Sequence, residues 1–472
     1  MILKNLVWDF SAKLINQSIF FLVSIVLTRI LEPEDYGVFG LLLVIISLIK
    51  VFAESGMGAG LIQTKSASTV ALSTVFWLNV FLSLFIYLIV YMSADLFQAF
   101  YNYEDLKLLI RVASLDILLS SLGFIQRIKL VKELNFRVLS VINVVSTLIS
   151  AIVAIYLVLN DFNIWSLIFQ QLTFTFVQSS MLLLNSKWYP RFELSLNSVS
   201  GILNFGIKKL ATDLLSVVFT RLDILIFAKS FSASAVGFYS KAQSFAGQLE
   251  SLSSTSILSV FFPVISKYQG NKPRLIDLYL NSYRSILLIT LSLSGVLYIS
   301  AEFLIVQLFT AKWSASIILF KLIVINSYLK PTGALMVNLM LGMGYAGLNL
   351  KLEIIKKILR TLPLAVAVFG GMKMFLLAMI FHGIIAQTIN MYMVNKIIQV
   401  KILQQWHSFI VTAIPAIVSG FACYFTIGRI DSIMEFVLCT IQYFIAFILI
   451  SYMTNKNALI FTFSKMKSIF KK

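Results

Sequence analysis

The sequence predicts an all-α integral membrane protein, and three observations predict it. The first is composition: 59% of the 472 residues are hydrophobic, 12% are charged and the mean hydropathy is +0.92. Soluble domains are roughly 45–50% apolar and about 25% charged, so this chain has too little polar surface to cover a water-facing globule. The second is block length. Apolar residues come in runs of about 20, enough to cross a hydrocarbon core as helices, rather than in the alternating stretches of about ten that mark barrel strands. The third is the placement of cations, which gather in every second connection between runs.

The runs number about fourteen, over 9–31, 38–62, 72–94, 107–130, 138–158, 163–185, 207–229, 237–265, 284–306, 316–341, 353–371, 374–395, 408–428 and 433–453. The first two are parted by "EPEDYG", where Pro33 ends a helix and Gly37 permits a turn. No small-residue cleavage site follows the first run, which reads as a retained helix. The third contains "VFWLNVFLSLFIYLIVYMSA", the clearest single block. Runs four and five are joined through Lys132 and Arg137, and six and seven through Lys187, Arg191, Lys208 and Lys209. Lys267, Lys272, Arg274 and Arg284 stand between eight and nine, and Lys351, Lys356, Lys357 and Arg360 between ten and eleven. The tail adds Lys456, Lys465, Lys467, Lys471 and Lys472. The opposite side has few cations: Arg29, Lys107, Lys229, Lys312, Lys373 and Arg429. This is the positive-inside bias. It accounts for the net charge of +18 without nucleic acid, and it places both termini in the cytoplasm.

The chain repeats itself. An offset of about 200 residues sets "RILEPEDYGVFG" (29–40) on "KSFSASAVGFYS" (229–240), matching Arg29 with Lys229, Gly37 with Gly237 and Phe39 with Tyr239. Asp9 and Lys13 meet Lys209 and Asp213, an i,i+4 pair with exchanged signs. The expected organisation is a six-helix bundle over 1–195, a second in the same orientation over 196–400, and two further helices with a basic tail over 401–472. Parallel repeats of this kind suit a transporter with a central site.

The stretch "LTRILEPEDYGVFG…AESGMGAGLIQTKSAS…STVFWLN" resembles the start of Wzx-type polysaccharide flippases, especially the WzxC-like branch. "GFYSKAQSFAGQLES" and "FFPVISKYQGN" are similar to the corresponding stretch of the second half in that branch. Recognisable motifs run over roughly residues 5–285; Glu32 departs from the glycine often found before the proline, in a turn outside the membrane. The resemblance extends to the multidrug/oligosaccharidyl-lipid/polysaccharide exporter superfamily. It implies two V-shaped bundles, alternating access and an undecaprenyl-pyrophosphate-linked oligosaccharide as cargo. It also implies a bacterial inner-membrane location for O-antigen, capsule or exopolysaccharide synthesis. The expected partners are that lipid-linked oligosaccharide, membrane lipids, and the polymerase and other polysaccharide-assembly proteins.

Charges inside the runs are the candidate site. A charge at the bilayer centre costs about 2.5–3.5 kcal/mol on insertion scales, so it faces a cavity or a partner. Run seven carries Lys209, Asp213, Ser216, Thr220 and Asp223 at spacings that share one helix face. Run one has Asp9, Lys13, Asn16, Gln17, Ser24 and Thr28; run eight has Lys241, Ser244, Gln248, Ser251 and Thr255. Run ten has Lys321, Asn326 and Lys330, with a kink expected at Pro331. The resemblance implies that runs one, two, seven and eight line the central cavity. The cavity candidates are Lys13, Lys50, Asp213, Arg221, Lys241 and Lys330. Structural readings stand beside them. Asp9–Lys13 and Lys50–Glu54 are i,i+4 pairs that can neutralise each other. Arg221 lies off the stripe, and Lys241 and Lys321 can snorkel. Arg111 and Asp116 read as structural. Lys330 is the sharpest candidate: no acid stands three or four positions away, and a diphosphate needs cations in a low-dielectric cleft.

No P-loop, GxSxG or HExxH occurs, and His382 and His407 are isolated, so no catalytic residue, metal site or cofactor is expected. Cys423 and Cys439 read as small apolar core residues. Three functions compete: a lipid-linked oligosaccharide flippase, a drug or small-molecule antiporter of the same superfamily, and a membrane enzyme of polysaccharide assembly. The longest outward loop, "DLFQAFYNYEDL", is too short for a separate catalytic site.

Overall fold

The computed structural model describes residues 2–54, 56–64, 67–186, 188–248 and 271–470, and these contain helices and turns but no strand. Eleven spans among them are long and apolar enough to cross a membrane. The chain is therefore a multi-pass, all-helical membrane protein. By packing it divides into two units, Met1–Ser240 and Lys241–Lys472.

The first unit opens with α1 (Ile2–Ile30) and α2 (Pro33–Glu54). Pro33 starts α2, where its missing N–H has no intrahelical partner to lose, and Glu34 and Asp35 suit the positive helix end. The acids between α1 and α2 thus serve as a helix start: the Asp35 carboxylate accepts from the Glu32 N–H at 3.0 Å. Left-handed Gly56 (φ 63°) then separates α2 from the short α3 (Met57–Gln63). There follow α4 (Thr69–Tyr101), capped by the Ser68 hydroxyl, α5 (Leu106–Ala113), α6 (Leu115–Lys132), α7 (Phe136–Leu159) and α8 (Ile164–Asn185). The long α9 (Ser200–Ser230) follows, and α10 (233–248) carries the chain past Ser240, where the first unit ends.

Leu41, Leu42, Ile45 and Ile49 of α2 form a core with Leu109 and Ile110 of α5, Ile117 of α6 and Ile168 of α8. The buried face of α7 is made of Ser146, Thr147, Ser150, Ala151 and Ala154. Such small side chains let helices approach closely where lipid gives no hydrophobic driving force. Val23 and Leu27 of α1 fill the resulting groove. α9 lies on α2 and α3, so residues 200–240 pack with the first unit, whereas the repeat sets the bundle boundary near 195.

The second unit contains α11 (Lys272–Ile299), α12 (Ala301–Phe309), α13 (Ala315–Ser327), α14 (Leu329–Gly342), α15 (Ala346–Leu359), α16 (Thr361–Ile398), α17 (Ile402–Ile427) and α18 (Ile433–Phe470). Pro331 cannot donate to the Ser327 carbonyl, and the helix breaks at Tyr328 between α13 and α14. Gly371 (φ 76°) interrupts α16 between the two apolar runs that it joins. Tyr279, Tyr283 and Ile286 of α11 pack on Leu335, Met336 and Leu339 of α14 and on Met391 and Val394 of α16. A second cluster gathers Leu288, Phe303, Cys423, Cys439, Tyr443 and Phe447. Both cysteines are buried free thiols in this core.

Candidate functional site

Four of the predicted cavity residues, Lys13, Lys50, Asp213 and Arg221, belong to the first unit; Lys241 and Lys330 belong to the second. Each has an environment set by its helix.

Lys50 sits in the last two turns of α2 and forms an ion pair with Asp116 of α6. The sequence offered Glu54 as its neutralising neighbour, one turn on. The structure gives Lys50 a partner on another helix. The Asp116 side chain is fully buried and also accepts hydrogen bonds from Thr175 and from Gln171 of α8, the latter at 3.3 Å. The Lys50 side chain keeps 29% of its surface exposed. The ammonium is thus held by a carboxylate that Thr175 and Gln171 also fix, on a side chain that is partly exposed.

Asp213 pairs with Lys209 one turn earlier on α9, as an i,i+4 neighbour. Together with Ser216 and Val217 they form one side of a cleft of about 270 Å³ whose other side is Val51 and Glu54 of α2 and Gly56, Gly58 and Ala59 at the start of α3. The cleft exists because the backbone turns at Gly56 and presses on α9. A Cβ on Gly56 would lie 2.4 Å from the Gly206 carbonyl oxygen and 2.9 Å from the Lys209 Cβ. Sequence periodicity found the α9 stripe. It did not find the facing wall, because nothing local says that Glu54 and the glycines of α3 lie opposite Asp213.

The far end of the α9 stripe has another use. Asp223, 2% exposed, accepts a hydrogen bond from the Tyr239 hydroxyl at 2.5 Å, and Tyr239 packs edge-on against Phe227. Asp223 is therefore a buried link from α9 to α10. Arg221 is exposed, off the stripe as its register requires, and Lys13 is exposed on α1; the side chain of Asp9 lies outside the described ones. Arg111 is held by Asp95 at 3.6 Å and lies over the Tyr91 ring at 4.1 Å.

In the second unit Lys241 is 4% exposed, with its ammonium 4.4 Å from the centre of the Phe309 ring. It does not reach outward as a snorkelling lysine would, and the Phe309 ring lies beside its ammonium. Lys321 lies over Tyr298 at 5.4 Å. Lys330 is exposed in the first turn of α14, beside the Pro331 break. Lys356, a loop cation in the sequence reading, is buried between Glu353 at 2.5 Å and Asn390 at 3.1 Å, and His382 meets its carbonyl at 3.0 Å. Ser251 and Thr255 lie outside the described residues. Among the described residues no group of three His, Cys, Asp or Glu could hold a metal ion.

Comparison with known proteins bears out the Wzx-type resemblance. The chain is 24% identical over 311 residues to the succinoglycan biosynthesis transport protein ExoT of Rhizobium meliloti (strain 1021), covering 66% of this chain and 63% of ExoT. It is 25% identical over 344 residues to the lipopolysaccharide biosynthesis protein WzxC of Escherichia coli (strain K12), covering 71% of this chain and 68% of WzxC. Its fold matches the solved lipid II flippase MurJ in an inward closed conformation, with a TM-score of 0.79 at 15% identity over 96% of this chain and 99% of that one. The family model described as "Polysaccharide biosynthesis protein" matches residues 26–318, more than half of the chain, and the chain belongs to that family.

Proposed function

We propose that the protein is a flippase that moves undecaprenyl-pyrophosphate-linked oligosaccharide repeat units across the bacterial inner membrane. It acts as a transporter rather than an enzyme, for O-antigen, capsule or exopolysaccharide synthesis. The observation that carries this reading is membership of a polysaccharide biosynthesis family in a chain whose fold matches a lipid II flippase over nearly its whole length. In this reading the chain has about fourteen membrane helices, adding α9 and α10 and dividing the stretch Ala346–Ile398 at Gly371 into two, α15 with the start of α16 and the rest of α16. Both termini are cytoplasmic. Two repeated bundles, 1–195 and 196–400, exchange access to a central site, with 401–472 appended.

Lys50 and Lys330 are the proposed diphosphate contacts, one from each repeat, with Lys13, Asp213, Arg221 and Lys241 as further cavity residues. The Asp116 carboxylate supports the Lys50 role: it holds the ammonium in place on a side chain that stays partly exposed. The antiporter reading of the same superfamily predicts ion-coupled export of free small molecules. The two are separated by deleting the gene in a strain with no second flippase. The flippase reading expects surface polysaccharide to vanish and lipid-linked oligosaccharide to accumulate in the inner leaflet. Intact surface polysaccharide defeats it.

A further inference from the structure

We propose that the cleft walled by α2, α3 and α9 is a seat for one neutral sugar ring of the lipid-linked cargo. This proposal rests on the flippase reading and deepens it. The cleft has a rigid floor, an amphipathic lining and a charge pattern that selects among ligands.

The floor is backbone on backbone. Gly56 lies on the Gly206 carbonyl, and a Cβ on Gly60 would stand 2.9 Å from the Ile202 carbonyl oxygen. Helix and turn can meet this closely only with glycine at those positions. Gly56 also has φ 63°, a conformation that other residues adopt at a cost. The volume of about 270 Å³ falls below the roughly 300–1,000 Å³ of drug-sized sites, which fits a single ring rather than a chain of them.

The lining has two characters. Val51, Ala59 and Val217 offer apolar surface, while Glu54, Lys209, Asp213 and Ser216 bring two carboxylates, an ammonium and a hydroxyl. A pyranose has an apolar C–H face and a rim of hydroxyls that both donate and accept. Carboxylates accept from such hydroxyls, the ammonium donates to them, and charge-assisted bonds of this kind are short and strong.

The charges exclude other occupants. Asp213 is neutralised by Lys209, which leaves Glu54 as the one uncompensated carboxylate of the lining, too few anionic ligands for a metal ion. Two carboxylates against one ammonium leave the lining net negative, which disfavours a diphosphate. A neutral polyhydroxylated ring suffers neither penalty. The seat is therefore distinct from the lysines proposed for the diphosphate, and it reads the sugar rather than the anchor.

The test measures affinity of the purified full-length protein for two probes: undecaprenyl diphosphate alone, and the undecaprenyl-diphosphate-linked oligosaccharide extracted from the host strain. The wild type is expected to bind the sugar-bearing lipid about tenfold more tightly than the bare one. Glu54→Gln should remove that increment and hold affinity for the bare lipid within about twofold. Val217→Trp, which fills the cleft without touching a charge, should do the same, and a melting temperature equal to wild type shows that each variant folds. Variants that keep the full increment overturn the sugar seat while the flippase reading stands. A wild type that binds neither lipid overturns both.

Discussion

Gly37 of α2 and Gly237 of α10, which the sequence offset pairs, lie backbone to backbone. A Cβ on Gly37 would stand 1.9 Å from the Ala233 carbonyl oxygen, and one on Gly237 would stand 1.7 Å from the Pro33 carbonyl oxygen. The next repeat pair meets too, with a Cβ on Gly40 falling 2.8 Å from the Ser240 hydroxyl. The first turns of the two equivalent helices therefore cross through glycine, each on the other's backbone.

Gly37→Ala should consequently destabilise the protein. Alanine gains about 0.5–1 kcal/mol over glycine inside a helix, but overpacking costs about 1–3 kcal/mol, and here the obstacle is backbone. The net expectation is a loss of about 1–2 kcal/mol, read as a lower melting temperature in detergent. Gly201→Ala is the control, since nothing lies within 4 Å of its added methyl. It should leave the melting temperature unchanged or slightly raised. Equal behaviour of the two variants contradicts the close crossing.

The Lys50–Asp116 pair predicts a non-additive cycle. Asp116→Ala leaves Lys50, Thr175 and Gln171 without their shared acceptor, and breaking a buried pair from one side costs about 3–5 kcal/mol. Lys50→Met combined with Asp116→Leu removes both charges and should recover much of that loss in thermal stability. If the two single losses simply add, the pair is not coupled as described.

Topology is tested by reporter fusions. A fusion after Leu134, in the cationic turn between α6 and α7, should report the cytoplasm, and one after Asp161, between α7 and α8, the periplasm. A reversed result at either position overturns the cytoplasmic placement of the termini.

Much of this architecture was legible in the sequence. Helical spans follow from apolar runs, and the helix breaks beside Pro331 as expected; Pro33, read as a helix end with a turn at Gly37, instead starts α2 and leaves Gly37 inside that helix. The repeat pointed to Gly37 and Gly237 without saying that they touch. What was not legible depends on which faces meet. Lys50 had an acid one turn away, yet its partner is Asp116, chosen by packing of α2 against α6 and α8. Lys241 looked free to extend outward, yet it is buried with its ammonium beside the Phe309 ring. The wall of Glu54, Gly56 and Gly58 opposite Asp213 arises from a turn whose pressing on α9 no local periodicity records.

Lys330 tests the diphosphate contact. It is exposed beside the α13–α14 break. Lys330→Ala should abolish surface polysaccharide while the protein still reaches the membrane. Lys330→Arg should retain part of it, because the charge persists with altered geometry. Normal polysaccharide at normal protein level in Lys330→Ala removes this residue from the site.

The most direct measurement reconstitutes the purified chain in vesicles that carry undecaprenyl-diphosphate-linked oligosaccharide labelled on its sugar. A membrane-impermeant glycosidase, added outside, reads how much label is exposed. Lipid in the inner leaflet of protein-free vesicles should stay protected. With the protein present, the protected fraction should fall towards full digestion, and Lys50→Ala with Lys330→Ala should restore protection. A protected fraction that is the same with and without the protein, under conditions in which the vesicles remain sealed, contradicts the assignment as a flippase.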